Sequence, residues 1–170
     1  DIKDTSFFAG YRWESDSGWN YDISGGYGKN KFAYTISNSL NASLGPTSPT
    51  TAYAGALVFD QTTFNFDSSK LYDSGNIPVN VAWGAEYREE GFKIKEGEEA
   101  SYIDGGATNP VTGQNYAPGF QVFRGFSPTE AADENRDSWA LYLDVESQVS
   151  DRLLLTGALR YEDFSDFGST

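Results

Sequence analysis

The sequence contains no cysteine, histidine or methionine. Without Cys, the chain can form neither a disulfide nor a thiolate zinc site, and it has no cysteine nucleophile. Without His, it lacks the commonest general base near neutral pH, which excludes a Ser-His-Asp site within this chain. Asp144 and Glu146 place two carboxylates on one face of a predicted strand, but every polar-faced strand produces such pairs. We therefore expect no enzymatic activity, no metal site and no cofactor.

Positive charge is also scarce. The 12 Lys and Arg residues are outnumbered by 25 Asp and Glu residues, and the formal net charge is −13. Nucleic-acid binding requires clustered Lys and Arg against the phosphates, so we expect no nucleic-acid partner. Long apolar runs are missing too, since no stretch approaches the roughly 18 apolar residues of a membrane helix. A transmembrane β-barrel escapes that requirement because only every second residue of its strands faces lipid.

Strict alternation of apolar and polar residues occupies 139–161. The apolar series is Trp139, Leu141, Leu143, Val145 and Val149, then Leu153, Leu155, Leu159 and Tyr161. Ser150 and Asp151 form a tight turn between the two arms, so the pattern predicts a β-hairpin. Each arm alternates over about ten residues, close to the roughly 9–11 that a tilted strand needs to cross a bilayer.

The same alternation recurs along the rest of the chain and predicts seven strands. Their approximate ranges are 7–13, 19–27, 32–41, 57–67, 79–88, 139–149 and 153–161. Leu57, Val58 and Phe59 break the period in the fourth range. We predict an all-β fold, namely an antiparallel up-and-down transmembrane β-barrel segment with about seven strands.

The predicted connections fall into a shorter and a longer group. Taken alternately along the chain, 28–30, 68–78 and 150–151 lie on one side, and 14–18, 44–51 and 91–137 lie on the other. Short periplasmic turns and longer extracellular loops are typical of outer-membrane barrels. We therefore predict that 91–137 is a long extracellular loop within a partial β-barrel domain of residues 1–170.

Alternation alone does not say which face is wet, because a soluble β-sandwich would turn the same apolar face inward. Aromatic residues lie near strand ends on the apolar face, as in the interfacial belts of membrane proteins: Trp13, Trp19, Tyr27, Trp83, Tyr87, Trp139 and Tyr161. The opposite face is small and polar. Its scattered charges are predicted to face a barrel lumen and pair across strands: Glu86, Arg88, Asp144, Glu146, Arg160 and Glu162.

Seven strands cannot close a bacterial barrel, which needs an even number of at least eight. Open strand edges in lipid would leave backbone amides and carbonyls unpaired, each at a cost of several kcal/mol. We therefore expect the chain to be a segment of a larger barrel.

Two stretches resemble the barrel strands of TonB-dependent outer-membrane receptors. The first is 81–90, VAWGAEYREE, with FKI at 92–94, and the second is 137–144, DSWALYLD, continued by DRL at 151–153 and ALRYEDFSDFG at 158–168. The resemblance covers roughly 19–170. It implies a 22-stranded barrel in the bacterial outer membrane, plugged by an N-terminal domain and importing a scarce nutrient with energy from TonB. The plug, the TonB box and the closing C-terminal strand of the family are not found in this sequence.

The long loop is the best candidate for ligand contact. From Glu96 to Asp137 it carries eight acidic residues against Arg124 and Arg136, so it would not attract an anionic ferric siderophore by charge. Its aromatic and polar side chains could instead stack on sugar rings or other flat ligands and hydrogen-bond to them. The candidates are Tyr102, Asp104, Gln114, Asn115, Tyr116, Phe120, Phe123, Arg124 and Phe126. Two alternatives stay open: the loop aromatics pack only against the loop itself, or the chain is a soluble all-β carbohydrate-binding module.

Overall fold

The computed structural model describes residues 1–73, 75 and 77–170. Seven β-strands make up most of it: β1 (Ile2–Glu14), β2 (Asn20–Ser37), β3 (Thr51–Tyr72), β4 (Val79–Lys95), β5 (Ala132–Ser150), β6 (Leu153–Phe164) and β7 (Gly168–Ser169). The helical elements are a 3-10 helix at Ala42–Thr47 and a single turn, α1, at Glu99–Tyr102. No helix among the described residues is long and apolar enough to cross a membrane.

The strands form one sheet in the order β1-β2-β3-β4-β5-β6-β7, so each strand pairs with its neighbour in sequence. This confirms the predicted all-β, up-and-down arrangement and the number of strands. The predicted division of the chain is wrong in two places. Most of 19–27 and 32–41 belongs to the single strand β2 rather than to two strands around a turn at 28–30, and β7 lies outside the predicted ranges. Gly28 is not among the glycines with positive φ, so this glycine-rich stretch continues as strand instead of turning. The seventh strand is the two-residue β7.

Consecutive strands are joined alternately at one end of the strands and at the other. We call these two sides of the sheet the short-turn edge and the long-loop edge. The short-turn edge carries 15–19, 73–78 and 151–152, and the long-loop edge carries 38–50, 96–131 and 165–167. The turn near 14–18 therefore shares an edge with 151–152, opposite to the prediction, because β2 is not divided. Within the predicted turn 68–78, β3 continues to Tyr72, whereas Ser74 and Asn76 lie outside the described residues. The predicted loop 91–137 is shorter, because β4 reaches Lys95 and β5 begins at Ala132.

The residues divide into two compact units. The first unit comprises 1–5, 29–60 and 91–134, and the second comprises 6–28, 61–90 and 135–170. β1 to β5 each contribute residues to both units.

In the second unit, the β5–β6 hairpin has one exposed apolar face. Leu141 pairs with Tyr161 and Leu143 with Leu159. Leu141 is 52% exposed, Leu155 54% and Leu159 75%, whereas Ala140 on the other face is 1% exposed. A β-sandwich would bury such leucines under a second sheet, and the part of the chain that the structure describes contains one sheet. The soluble-module alternative is therefore not favoured.

Aromatic rings run across the apolar side of four strands in the second unit. Ring centroids are 5.7 Å apart for Tyr11 and Trp13, 5.2 Å for Trp13 and Tyr21, 6.0 Å for Tyr21 and Phe66, and 5.4 Å for Phe66 and Trp83. Trp139 and Tyr161 form a further pair at 5.4 Å on the β5–β6 hairpin. The pairs that join neighbouring strands contribute about 0.2–1 kcal/mol each.

The first unit is packed around the beginning of β3. Ala52, Ala54, Ala56 and Val58 are buried, and Gly55 between them adopts φ 109°. A Cβ at Gly55 would lie 2.7 Å from the Phe126 ring, so the close approach of the long loop requires glycine here. Residues 54–56 are buried in succession, directly before the stretch 57–59 that departs from period-two alternation.

Candidate functional site

The long loop, 96–131, is fastened to the β2–β3 connection by the buried side chain of Asn41. Its Nδ2 donates to the carbonyl oxygens of Ala100 at 3.0 Å and Ile103 at 2.8 Å. Its Oδ1 accepts from the Ser43 amide at 3.1 Å and the Ser43 hydroxyl at 2.6 Å. Every donor and acceptor of this amide is therefore used, which is the condition for burying it without a large cost.

Two buried serines, Ser43 and Ser101, make further hydrogen bonds that hold the loop in place. The Ser43 hydroxyl oxygen accepts from the Gly105 amide at 2.9 Å, and the Ser101 hydroxyl donates to the Glu98 carbonyl at 2.6 Å. The Ser101 carbonyl accepts from the amides of Phe120 at 3.0 Å and Gly125 at 2.9 Å. The loop also bonds β3 directly, with the Phe126 amide donating to the Ala54 carbonyl at 3.0 Å. Buried hydrogen bonds therefore hold the long loop to the β2–β3 connection and to β3.

Three of the nine candidate ligand residues are phenylalanines that pack within the first unit. Phe120 is 2% exposed. Phe123 stacks on Tyr34 of β2 with centroids 5.0 Å apart, and Phe126 meets Phe123 edge-on at 5.6 Å. These rings pack the loop against β2, which is outside the loop, so this contact differs from packing of the loop only against itself.

Arg124 is held by charge within the loop. Its Nη1 donates to Glu130 Oε1 at 3.2 Å, while the Ser127 amide and hydroxyl donate to Glu130 Oε2 at 2.8 and 2.6 Å. The hydrogen bonds from Ser127 lower the pKa of the Glu130 carboxyl, and the Arg124 guanidinium adds to the effect. This cluster closes the C-terminal end of the loop.

The other five candidates lie on the outside of the loop. Asp104, Gln114 and Asn115 are exposed, and Tyr102 and Tyr116 are half-buried. Asn115 pairs with Thr108 in a small hairpin, 108–115, whose turn is closed by a bond from the Gly113 amide to the Asn109 carbonyl at 2.8 Å. Val111 at its tip is 90% exposed. The Asn109-Pro110 and Gly113 turn residues could have revealed this hairpin from sequence.

In the second unit, the charged residues that were predicted to face a lumen form one ion pair across strands and two ion pairs within single strands. Arg160 of β6 donates to Glu86 of β4 at 3.2 Å and to Glu162 at 3.1 Å, and Arg88 donates to Glu86 at 2.6 Å. Asp144 and Glu146 lie opposite Ala158 and Thr156, and neither forms an ion pair within the described residues. Four of the six predicted residues thus form one network.

Sequence reasoning missed the bond that ties β5 to β3. The Tyr142 hydroxyl donates to Asp67, and the Arg160 guanidinium lies 5.9 Å from the Tyr142 ring centroid. The Tyr142 side chain reaches Asp67 by crossing β4 over Gly84, which has no side chain to block it. A glycine inside a strand is the sequence signal for such a close approach.

The same polar face lines an open groove of about 850 Å³. Its polar wall includes Arg12, Asn20, Asp22, Asp67 and Tyr142. Arg12 and Asp22 form an ion pair of 2.7 Å. In the described residues, no group of three or more acidic side chains is arranged to hold a metal ion.

Comparison with known proteins agrees with this geometry. A family model described as TonB dependent receptor-like, β-barrel, matches residues 1–170. Among solved structures, the chain is similar to the open form of the ferric-catecholate import receptor Fiu from E. coli K12, with 16% identity and a TM-score of 0.53. That match covers 96% of this chain and 26% of the other, and at this identity it shows the fold alone. No curated protein matches the chain.

Proposed function

The chain belongs to the TonB-dependent receptor β-barrel family, and from this premise we propose that it forms part of the wall of a bacterial outer-membrane importer. The observation that carries the proposal is the two-faced hairpin of β5 and β6. Its leucines are exposed, and the opposite face carries the Arg160 ion pairs. An apolar exterior around a polar interior is the pattern of a barrel in lipid.

Closure of the barrel requires more strands than the sheet contains. β1 and β7 are the outermost strands of the sheet, so each has one side without a partner strand. In lipid, each unpaired backbone group on that side costs several kcal/mol. The chain spans 26% of the length of the solved receptor that it resembles. In the proposal, the remaining strands and a plug domain belong to a longer receptor, and TonB acts through that plug.

The polar groove then faces the lumen, and the long-loop edge faces the outside of the cell. Tyr102, Asp104, Gln114, Asn115 and Tyr116 are the proposed ligand contacts, because they lie on the outer surface of the anchored loop. Glu96, Glu98, Glu99 and Asp104 are all exposed there. A surface of this charge favours an uncharged oligosaccharide or a cationic small molecule over a polyanion.

Ligand contact is tested by binding measurements on the full-length receptor in detergent. Uncharged oligosaccharides and an anionic ferric catecholate serve as probes. We expect Tyr102→Ala with Tyr116→Ala to weaken oligosaccharide binding about 10-fold, since each aromatic contact contributes about 0.5–1.5 kcal/mol. Val122→Ala is the matched control, because Val122 is exposed on the same loop and lies outside the proposed contacts. Equal affinity of wild type and double variant would rule out the two tyrosines, and tight binding of the ferric catecholate instead would overturn the ligand class.

A further inference from the structure

The sequence contains a single Asp-Gly dipeptide, Asp104-Gly105, and no Asn-Gly dipeptide. An aspartate followed by glycine is prone to form isoaspartate, because glycine has no side chain to keep its backbone nitrogen away from the neighbouring carboxyl group. This dipeptide lies in the long loop, close to the β2–β3 connection.

Isoaspartate forms in two steps that need only water. The backbone nitrogen of Gly105 attacks the side-chain carbon Cγ of Asp104, and a hydroxyl group of the carboxylic acid leaves with the amide proton as water. The product is a five-membered succinimide. Water then adds to the main-chain carbonyl carbon of Asp104 and breaks its bond to nitrogen, so the chain continues through Cβ and Cγ. The net change is a rearrangement, without oxidant or reductant.

Close packing explains why glycine follows Asp104. A Cβ at Gly105 would lie 2.4 Å from the Ser43 carbonyl oxygen and 2.8 Å from the Leu44 Cα. Both are backbone atoms, so no side-chain movement could make room for it. The long loop can lie against the β2–β3 connection only with glycine at this position, and the packing therefore requires the reactive dipeptide.

The Ser43 hydroxyl binds the backbone nitrogen that would have to react. The Gly105 amide donates to Ser43 Oγ at 2.9 Å, and Ser43 is 0% exposed. The same hydroxyl donates its own proton to Asn41 Oδ1 at 2.6 Å, which leaves its oxygen as an acceptor for Gly105. The Gly105 nitrogen must give up this hydrogen bond before it can lose its proton and attack.

The neighbouring groups are held in the same way. Asp104 Oδ1 accepts from the Gly106 amide at 2.9 Å, and the Ala107 amide donates to the Ser43 carbonyl oxygen at 2.9 Å. The dipeptide can therefore react only after 104–107 has separated from Ser43. We infer that Asp104-Gly105 is a site of isoaspartate formation that the Ser43 hydroxyl protects while the long loop is closed.

Isomerisation makes the opening of the loop permanent. It inserts one carbon, Cβ, into the main chain between Asp104 and Gly105, so the amides of Gly105 and Ala107 can no longer both reach Ser43. In the proposed function Asp104 and Tyr102 contact the ligand, and the modified receptor would bind it more weakly. The inference itself does not depend on the proposed function, because it concerns only the loop and the connection.

The test is the rate of isoaspartate formation at Asp104 in the full-length receptor, kept in detergent at neutral pH for several weeks. Fragmentation mass spectrometry distinguishes isoaspartate from aspartate, and a synthetic peptide of residues 99–109 gives the unprotected rate. The wild-type receptor should react about 10-fold more slowly than the peptide or slower still, because only its open form reacts. Ser43→Ala should raise the rate in the receptor about 10-fold, through loss of one buried hydrogen bond.

Thr47→Val is the matched control, because it removes a hydroxyl from the same connection. The Thr47 hydroxyl donates to the Leu44 carbonyl oxygen at 2.8 Å and so stays within that connection. Asp137-Ser138 is an internal reference, because this dipeptide lies in β5 and Ser138 is 4% exposed. Isoaspartate at Asp137 therefore reports unfolding of the sheet.

Each outcome decides the question. Equal rates in the wild-type receptor and the peptide overturn the protection, and equal rates in the wild type and Ser43→Ala overturn the role of Ser43. An equal rise in Thr47→Val also overturns that role. A rise at Asp137 as large as the rise at Asp104 overturns the inference too, because the reaction would then follow unfolding of the sheet rather than opening of the loop.

Discussion

At the scale of single residues, small side chains decide where larger ones can go. A Cβ at Gly84 would lie 2.5 Å from the Phe66 carbonyl oxygen and would also press on Tyr142, so the bond from Tyr142 to Asp67 depends on this glycine. Gly157 in β6 provides a contrast, because a Cβ there would meet nothing within 4 Å.

Gly84→Ala should destabilise the receptor by about 1–3 kcal/mol, from overpacking and loss of the Tyr142 bond. Gly157→Ala should change the free energy of unfolding by no more than about 0.5 kcal/mol, as is usual at an open position. Urea unfolding of both variants, refolded in the same detergent, compares them. Equal effects of the two substitutions would mean that Tyr142 does not cross β4 at Gly84.

Asn41 has the corresponding role for the long loop. Asn41→Ala would remove the side-chain donor to the Ala100 carbonyl oxygen and one of the donors to the Ile103 carbonyl oxygen, at a cost of about 1–3 kcal/mol. We expect amide hydrogen exchange within 96–126 to become about 10- to 100-fold faster. Asn115→Ala, at an exposed position in the same loop, is the control and should leave exchange at 96–103 and 117–126 unchanged. Unaltered exchange in Asn41→Ala would show that the loop does not depend on this side chain.

At the scale of elements, the β5–β6 hairpin could be predicted closely from sequence because apolar and polar residues alternate along both arms around the short turn at 151–152. β2 could not, because Gly25-Gly26-Tyr27-Gly28 has the composition of a turn, and this stretch is extended between the neighbouring strands β1 and β3. Near the start of β3, residues 54–56 are buried in succession, and burial on both faces of a strand removes the alternation that signals it. The packing of Phe120, Phe123 and Phe126 likewise depends on Tyr34 and β3, distant in sequence, so ligand contact and internal packing could not be told apart.

The end of the long loop should respond to pH through Glu130. Because the folded structure lowers the pKa of this carboxyl below its ordinary value of 4.5, its stabilising contribution is complete above that value and is lost as pH falls through the lowered pKa. We expect hydrogen-exchange protection of 124–130 to be constant between pH 5 and pH 7 and to fall below about pH 4. Glu130→Gln should have weaker protection at neutral pH and a smaller change on acidification. A variant with the wild-type pH profile would exclude Glu130 as the cause.

At the scale of the whole molecule, opposite faces of one sheet have opposite chemistry. Leu141 and Leu155 are exposed on the apolar face, and Asp144 and Arg160 lie on the polar face with Tyr142. In our proposal, the apolar face is the exterior of a barrel of the TonB-dependent receptor family, and the ion pairs of Arg160 lie in its lumen.

Single spin labels at Leu141, Leu155, Asp144 and Arg160 in the full-length receptor, reconstituted in bilayers, test this arrangement most directly. The measured quantity is the accessibility of each label to oxygen, which concentrates in lipid, relative to a water-soluble nickel complex. A transmembrane wall predicts that labels at Leu141 and Leu155 favour oxygen, whereas labels at Asp144 and Arg160 favour the nickel complex. Shielding of both leucine sites from both reagents would contradict it, because the apolar face would then be buried in protein.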